Sequence, residues 1–71
     1  MPRKPSLGRY LRDARIARGL SVANLAERVG VSRVSIYFWE GGRARPREAN
    51  LIALCKALKL PIRRAMEIAA G

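Results

Sequence analysis

A short segment between two glycines, GVSRVSIYFWEGG, concentrates the side chains of this sequence that are best suited to binding another molecule. It covers residues 30–42 and holds a guanidinium, on Arg33, followed by three adjacent aromatic residues at 37–39. A guanidinium donates a planar pair of hydrogen bonds that fits a phosphate group or the edge of a guanine base. Because three consecutive side chains of a helix point in three directions, we expect at least one ring to face outward.

The composition favours a small basic domain without catalytic chemistry. Its 71 residues suffice for one domain, 49% of them are hydrophobic, and 15 Lys and Arg against 5 Asp and Glu give a formal net charge of +10. Twelve of these cations are arginine, so the expected partner is a polyanion, most often nucleic acid. The chain has no histidine, one cysteine (Cys55) and five scattered carboxylates. These counts predict no enzyme activity, no catalytic residue, no metal site and no cofactor.

The amino-terminal residues indicate neither export nor insertion into a membrane. No apolar run approaches the ~20 residues that a membrane span needs, and MPRKPSLG lacks the apolar core of a signal peptide. We therefore expect a cytoplasmic protein that does not bind a membrane. With two prolines and two cations, residues 1–6 are predicted to form a basic flexible arm, followed by one domain over residues 7–70.

Capping residues and apolar spacing predict an all-α domain of five short helices around one core. The predicted helices cover residues 7–18, 22–29, 33–40, 47–58 and 62–70. The second and third are joined by a tight glycine turn and form a helix-turn-helix unit. Leucines are expected to face the core from the fourth helix, and Ile62 and Met66 from the fifth.

The third predicted helix divides into two faces when each residue turns the chain by about 100°. Ile36 and Trp39 share the inward face. The other face carries one cation, one valine and two rings: Arg33, Val34, Tyr37 and Phe38. In so basic a protein this face suits the major groove of DNA, where Arg33 can bind guanine and the apolar groups can contact thymine methyls. The alternative is that Tyr37 or Phe38 packs in the core against the second or fourth helix.

Four motifs, in this order and spacing, resemble the Cro/C1-type helix-turn-helix family, the phage-repressor-like DNA-binding domains. They are LGRYLRDARIARGLS, NLAERVGVSRVSIYFWEGG, RARP and ANLIALCKALKLPI, and the similarity extends from about Leu7 to Met66. The resemblance implies a lambda-repressor-like fold that binds double-stranded DNA with its third helix in the major groove.

The resemblance also implies a role for individual residues. The base-reading positions of the family are occupied here by Arg33, Val34, Tyr37 and Phe38. Its positions on or near the DNA backbone are occupied by Ser21, Ser32, Ser35, Arg43 and Arg45. Arg15 and Glu40 match a structural ion pair that ties the first helix to the end of the third.

Several positions depart from the family pattern. Val22 replaces a frequent glutamine and Phe38 a basic or polar residue, so the apolar share of base recognition is expected to be larger. The usual glycine after the fourth helix and serine before the fifth are Lys59 and Pro61. Two arginines, at 63–64, replace acidic residues in the first turn of the fifth helix, where the helix dipole disfavours cations.

The leading function is that of a sequence-specific transcriptional regulator, a small repressor or controller that binds an inverted repeat as a homodimer. Its expected interface contains Leu60, Ile62 and Met66, unless these residues close the core. One alternative is an antitoxin-like module that holds a partner protein, with Tyr37 and Phe38 as protein contacts. Another is an RNA-binding or non-specific nucleic-acid-binding protein, whose affinity would fall steeply with salt without preference among duplexes.

Overall fold

The computed structural model describes residues 5–71, and five α-helices fold that part of the chain, confirming the all-α prediction. They are α1 (Leu7–Ala17), α2 (Val22–Val29), α3 (Arg33–Glu40), α4 (Glu48–Leu58) and α5 (Ile62–Ala70). Three match the predicted bounds. The first ends one residue early and the fourth begins one residue late, because Arg18 and Arg47 are cap residues outside the helices.

The predicted basic arm lies mostly outside the described residues, which begin at Pro5. Of the predicted arm, Pro5 and Ser6 are described, and both precede α1 in non-helical conformation. No helix within residues 5–71 is long and apolar enough to cross a membrane.

Serine caps and one glycine turn define the helix-turn-helix. Ser6, Ser21 and Ser32 precede α1, α2 and α3, and each Oγ accepts the backbone N–H three positions on, at 3.2, 3.0 and 3.2 Å. These bonds satisfy donors that a helix leaves unpaired at its amino end. Gly30 ends α2 with φ of +83°, a left-handed conformation that suits glycine. Only two residues then separate α2 from the cap of α3, so the two helices pack closely.

The core is built around α4, which packs against α1, α2 and α5. The most deeply buried large side chains of the core come from four helices: Leu11, Leu25, Ile36, Leu54 and Leu58. Trp39 is also buried, so the predicted inward face of α3 is confirmed.

The predicted inner face of α5 is wrong at Ile62, which is 40% exposed. The helix contacts the core through the buried Ala65 and Ile68, whereas Ile62 is exposed in its first turn. Leu60 and Met66 are half-buried and pack against the core. Of the three residues expected at a dimer interface, these two therefore help to close the core and only Ile62 is exposed.

Candidate nucleic-acid interface

The outward face of α3 is an apolar surface with one cation. Val34, Tyr37 and Phe38 are 56%, 60% and 43% exposed, and Arg33 is exposed beside them. The opposite face of α3 packs against α1 and α2. The alternative that Tyr37 or Phe38 is a core residue is wrong, because both rings are exposed. The structure brings the four predicted base-reading residues together on one surface, and their role there remains a prediction.

A close backbone contact sets the position of α3 against α1. Gly8 is buried, and a Cβ placed on it would lie 2.5 Å from the carbonyl oxygen of Glu40 and 2.6 Å from that of Trp39. Only a residue without a side chain allows this approach. Gly8 is not among the predicted site residues, and its one signal in the sequence is a glycine within a predicted helix.

An ion pair fixes the same end of α3. The Nε of Arg15 donates to Oε2 of Glu40 at 2.7 Å, and its Nη2 donates to Oε1 at 3.0 Å. Its Nη1 donates to the carbonyl oxygen of Leu20 at 2.9 Å. The side chains of Arg15 and Glu40 are only 14% and 8% exposed. The hydrogen bond to Glu40 raises the pKa of Arg15, so the charged guanidinium is stabilised where it joins α1, the following turn and α3.

The predicted backbone-binding serines lie at the amino ends of α2 and α3. The Oγ atoms of Ser32 and Ser35 are 3.2 Å apart and share a hydrogen bond. The hydroxyl of Ser21 donates to Oδ1 of Asn24 at 2.7 Å. Helix amino ends carry partial positive charge and suit phosphate groups. Sequence reasoning missed Asn24, whose exposed amide belongs to this end of α2; its signal was the spacing of three residues after a capping serine.

The basic loop after α3 holds its two predicted phosphate-binding arginines differently. The backbone N–H of Arg43 donates to the carbonyl oxygen of Phe38 at 2.9 Å, which keeps this exposed residue next to α3. The guanidinium of Arg45 instead donates to the carbonyl oxygen of Ala69. That carbonyl lies in the last turn of α5, where unpaired carbonyl groups attract cations. A phosphate contact by Arg45 would require the side chain to leave α5.

The other described residues with titratable groups include one buried cysteine. Within residues 5–71, no group of three or more His, Cys, Asp or Glu side chains could hold a metal ion. Cys55 is buried, and this burial raises the pKa of its thiol, which favours the less nucleophilic neutral form.

Comparisons with known proteins agree with this geometry. A family model described as a helix-turn-helix domain matches residues 6–66. The chain is similar to the DNA-binding domain of the P22 C2 repressor, with 32% identity over 92% of this chain and 86% of that chain, and a TM-score of 0.85. It is also similar to C.AhdI, a restriction-modification controller protein from Aeromonas hydrophila, with 32% identity over 83% of this chain and 89% of that chain, and a TM-score of 0.78. No curated protein sequence matches it significantly. The chain belongs to the helix-turn-helix domain family, as a Cro/C1-type, phage-repressor-like DNA-binding domain.

Proposed function

We propose that this DNA-binding transcription regulator is a small repressor or controller that recognises specific duplex sites as a homodimer. The observation that carries the proposal is the exposed face of α3, which offers one guanidinium and three apolar side chains on a helix fixed by Gly8 and the Arg15–Glu40 ion pair. The similar structures, the DNA-binding domain of a repressor and a controller protein, support the same class of function.

Recognition would divide between base edges and phosphates. Arg33 would donate to the O6 and N7 atoms of guanine, and Val34, Tyr37 and Phe38 would pack against thymine methyl groups. Ser21, Ser32, Ser35, Arg43 and Arg45 would lie at or near phosphates and fix the position of the domain without reading sequence. Tyr37 can also donate its hydroxyl to a base or a phosphate.

A single α3 would read only a few base pairs, so we propose two copies on an inverted repeat. In such pairs the two recognition helices enter successive major grooves, about 34 Å apart along the duplex. A transcription regulator must reach the DNA that it binds, so we also propose the cytoplasmic location that the sequence predicts.

In vitro selection from random DNA duplexes at near-physiological salt tests this function. We expect enrichment of an inverted repeat, and its spacing reports the separation of the two copies. Arg33→Ala and Phe38→Ala should retain affinity for random duplex while losing the enrichment. Binding that only collapses as salt rises, with no sequence enriched, would mean that the protein binds bulk nucleic acid or acts through a protein partner.

The apolar face of α3 predicts sensitivity to thymine methyl groups. Replacing thymine by uracil in the selected half-sites removes the methyl group and leaves base pairing intact. We expect a loss of about 1 kcal/mol for each methyl group that packs against the protein, measured as the change in Kd. For Phe38→Ala the difference in Kd between the two duplexes should be smaller than for the wild-type protein, by the share of the methyl contacts that Phe38 makes. Equal binding of the two duplexes by the wild-type protein would exclude methyl recognition.

Arg43 is predicted to contact a phosphate. Arg43→Ala should weaken binding to specific and random duplexes alike, and should reduce the slope of log K against log salt by about one unit. Arg63→Ala is the matched control, because it removes an equal charge from an exposed position on α5. If both variants change the slope equally, Arg43 contributes only to the overall field of the protein.

A further inference from the structure

An open pocket lies where α1 passes α3, beside the face that is proposed to read bases. Its lining includes Arg12 of α1, Val22 of α2 and Tyr37 of α3. Arg12 and Tyr37 are exposed, and Val22 is half-buried. The pocket therefore brings a cation without a role in the proposed function next to a ring that has one.

Helical spacing puts Arg12 on the side of α1 that faces α3. Gly8 approaches the backbone of α3 closely, and Arg15 bonds to the carboxylate of Glu40. Arg12 is four residues after Gly8 and three before Arg15, so the three positions share one side of the helix. The contacts at Gly8 and Arg15 thus hold Arg12 next to the carboxyl end of α3.

Tyr37 lies at the edge of the outward face of α3 that is nearest to α1. The hydrogen bond to Glu40 is the main cause of the raised pKa of Arg15, and Tyr37 is a smaller cause, so its phenol group lies near α1. A guanidinium and a phenol hydroxyl both donate hydrogen bonds, whereas the side chain of Val22 offers none. A ligand of this pocket must therefore accept hydrogen bonds, and a negative charge on it is favourable.

The charge of Arg12 is not neutralised within the described part of the chain. Both carboxylate oxygens of Glu40, which also lines the pocket, accept hydrogen bonds from Arg15. Asp13 lines an adjoining pocket with Arg9 and does not line this one. Among residues 5–71, Arg15 and Glu40 form the one ion pair.

DNA supplies a suitable acceptor beside any helix in its major groove. The groove is about 12 Å wide and a helix with its side chains is roughly 10–12 Å across, so elements next to α3 meet the phosphates along the edge of the groove. We propose that Arg12 and Tyr37 together bind one phosphate group of the duplex, Arg12 through its guanidinium and Tyr37 through its hydroxyl. The inference rests on the proposed function, and it adds a contact from α1 to those expected from α2, α3 and the loop after α3.

Replacement of single phosphates tests this contact. In the duplex obtained by selection, each phosphate in turn is replaced by an uncharged methylphosphonate, and Kd is measured for the wild-type protein and for two variants. On the unmodified duplex we expect Arg12→Ala to raise Kd about fivefold, and Tyr37→Phe to raise it about threefold without changing the selected sequence. At one phosphate of each half-site, the replacement should weaken the wild-type protein by about fivefold and leave Arg12→Ala unaffected. At that phosphate Tyr37→Phe should lose part of the wild-type sensitivity.

Arg9→Ala is the matched control. It removes an equal charge from an exposed position of the same helix, outside the pocket. This variant should keep the wild-type sensitivity at every phosphate. Because Arg12 and Tyr37 are exposed, thermal unfolding should show that their variants are folded.

Three results would overturn the proposal. Arg12→Ala could keep the wild-type sensitivity at every phosphate, which would limit Arg12 to the overall field of the protein or to the positioning of α3. Tyr37→Phe could bind every duplex as the wild-type protein does, which would exclude its hydroxyl from the contact. Selection could enrich no site, which would overturn the proposed function as well, because contact with one defined phosphate requires a defined site. Enrichment by the wild-type protein therefore separates a failure of this inference from a failure of the proposed function.

Discussion

Gly8→Ala is expected to lower the free energy of unfolding by about 3 kcal/mol or more, the reverse of its usual effect within a helix. Alanine normally favours a helix over glycine by about 1 kcal/mol. At this position the new Cβ would meet two backbone oxygens of α3, at 2.5 and 2.6 Å, and backbone atoms cannot rotate aside. Urea or thermal unfolding measures the difference, and displacement of α3 should also weaken specific DNA binding.

Arg9→Ala is the control for this substitution. Arg9 is the next residue of α1 and its side chain is exposed, so its replacement should change the free energy of unfolding by less than about 0.5 kcal/mol. A Gly8→Ala protein as stable as the wild type would show that α1 and α3 do not approach so closely.

Glu40→Gln is expected to lower the free energy of unfolding by about 3 kcal/mol, although glutamine has nearly the same shape as glutamate. The substitution leaves Arg15 largely buried without its counter-charge. The hydrogen bond to Glu40 is the largest cause of the raised pKa of Arg15. Removing the carboxylate therefore removes the main stabilisation of the charged guanidinium. Denaturant unfolding of the variant and the wild type gives the value.

Two controls show whether the loss of stability is specific to the Arg15–Glu40 pair: Glu67→Gln, which removes an unrelated carboxylate, and a double substitution of the pair itself. Glu67 is exposed on α5, and its replacement should be nearly neutral. Arg15→Met combined with Glu40→Leu should recover most of the lost stability, because apolar partners leave no buried charge unpaired. If Glu40→Gln is no more destabilising than Glu67→Gln, the pair contributes little to the docking of α3.

Local chemistry made most of this fold predictable. Capping by Ser21 and Ser32, and the left-handed turn at Gly30, depend on neighbouring residues, and the predicted bounds of α2 and α3 are confirmed. The two faces of α3 follow from helical rotation, which is why Ile36 and Trp39 were assigned correctly to the core.

The features that sequence reasoning missed depend on contacts between distant residues. Ile62 is exposed in the first turn of α5 although Ala65, three residues further along on the same side of the helix, is buried, and helical spacing alone does not distinguish the two positions. The bond from Arg45 to Ala69 joins positions 24 residues apart. The close approach at Gly8 likewise requires the backbone of Trp39 and Glu40, which lie more than thirty residues further along the chain.

The shortness of α3 limits how much information one copy can extract from DNA. Eight residues make a helix about 12 Å long, which spans roughly four base pairs of duplex. A given sequence of four base pairs recurs by chance about once in 256 positions, whereas a sequence of eight base pairs recurs about once in 65,000. Selectivity over a genome therefore depends on the number of base pairs that are read, and stronger contacts along a single α3 cannot replace additional base pairs.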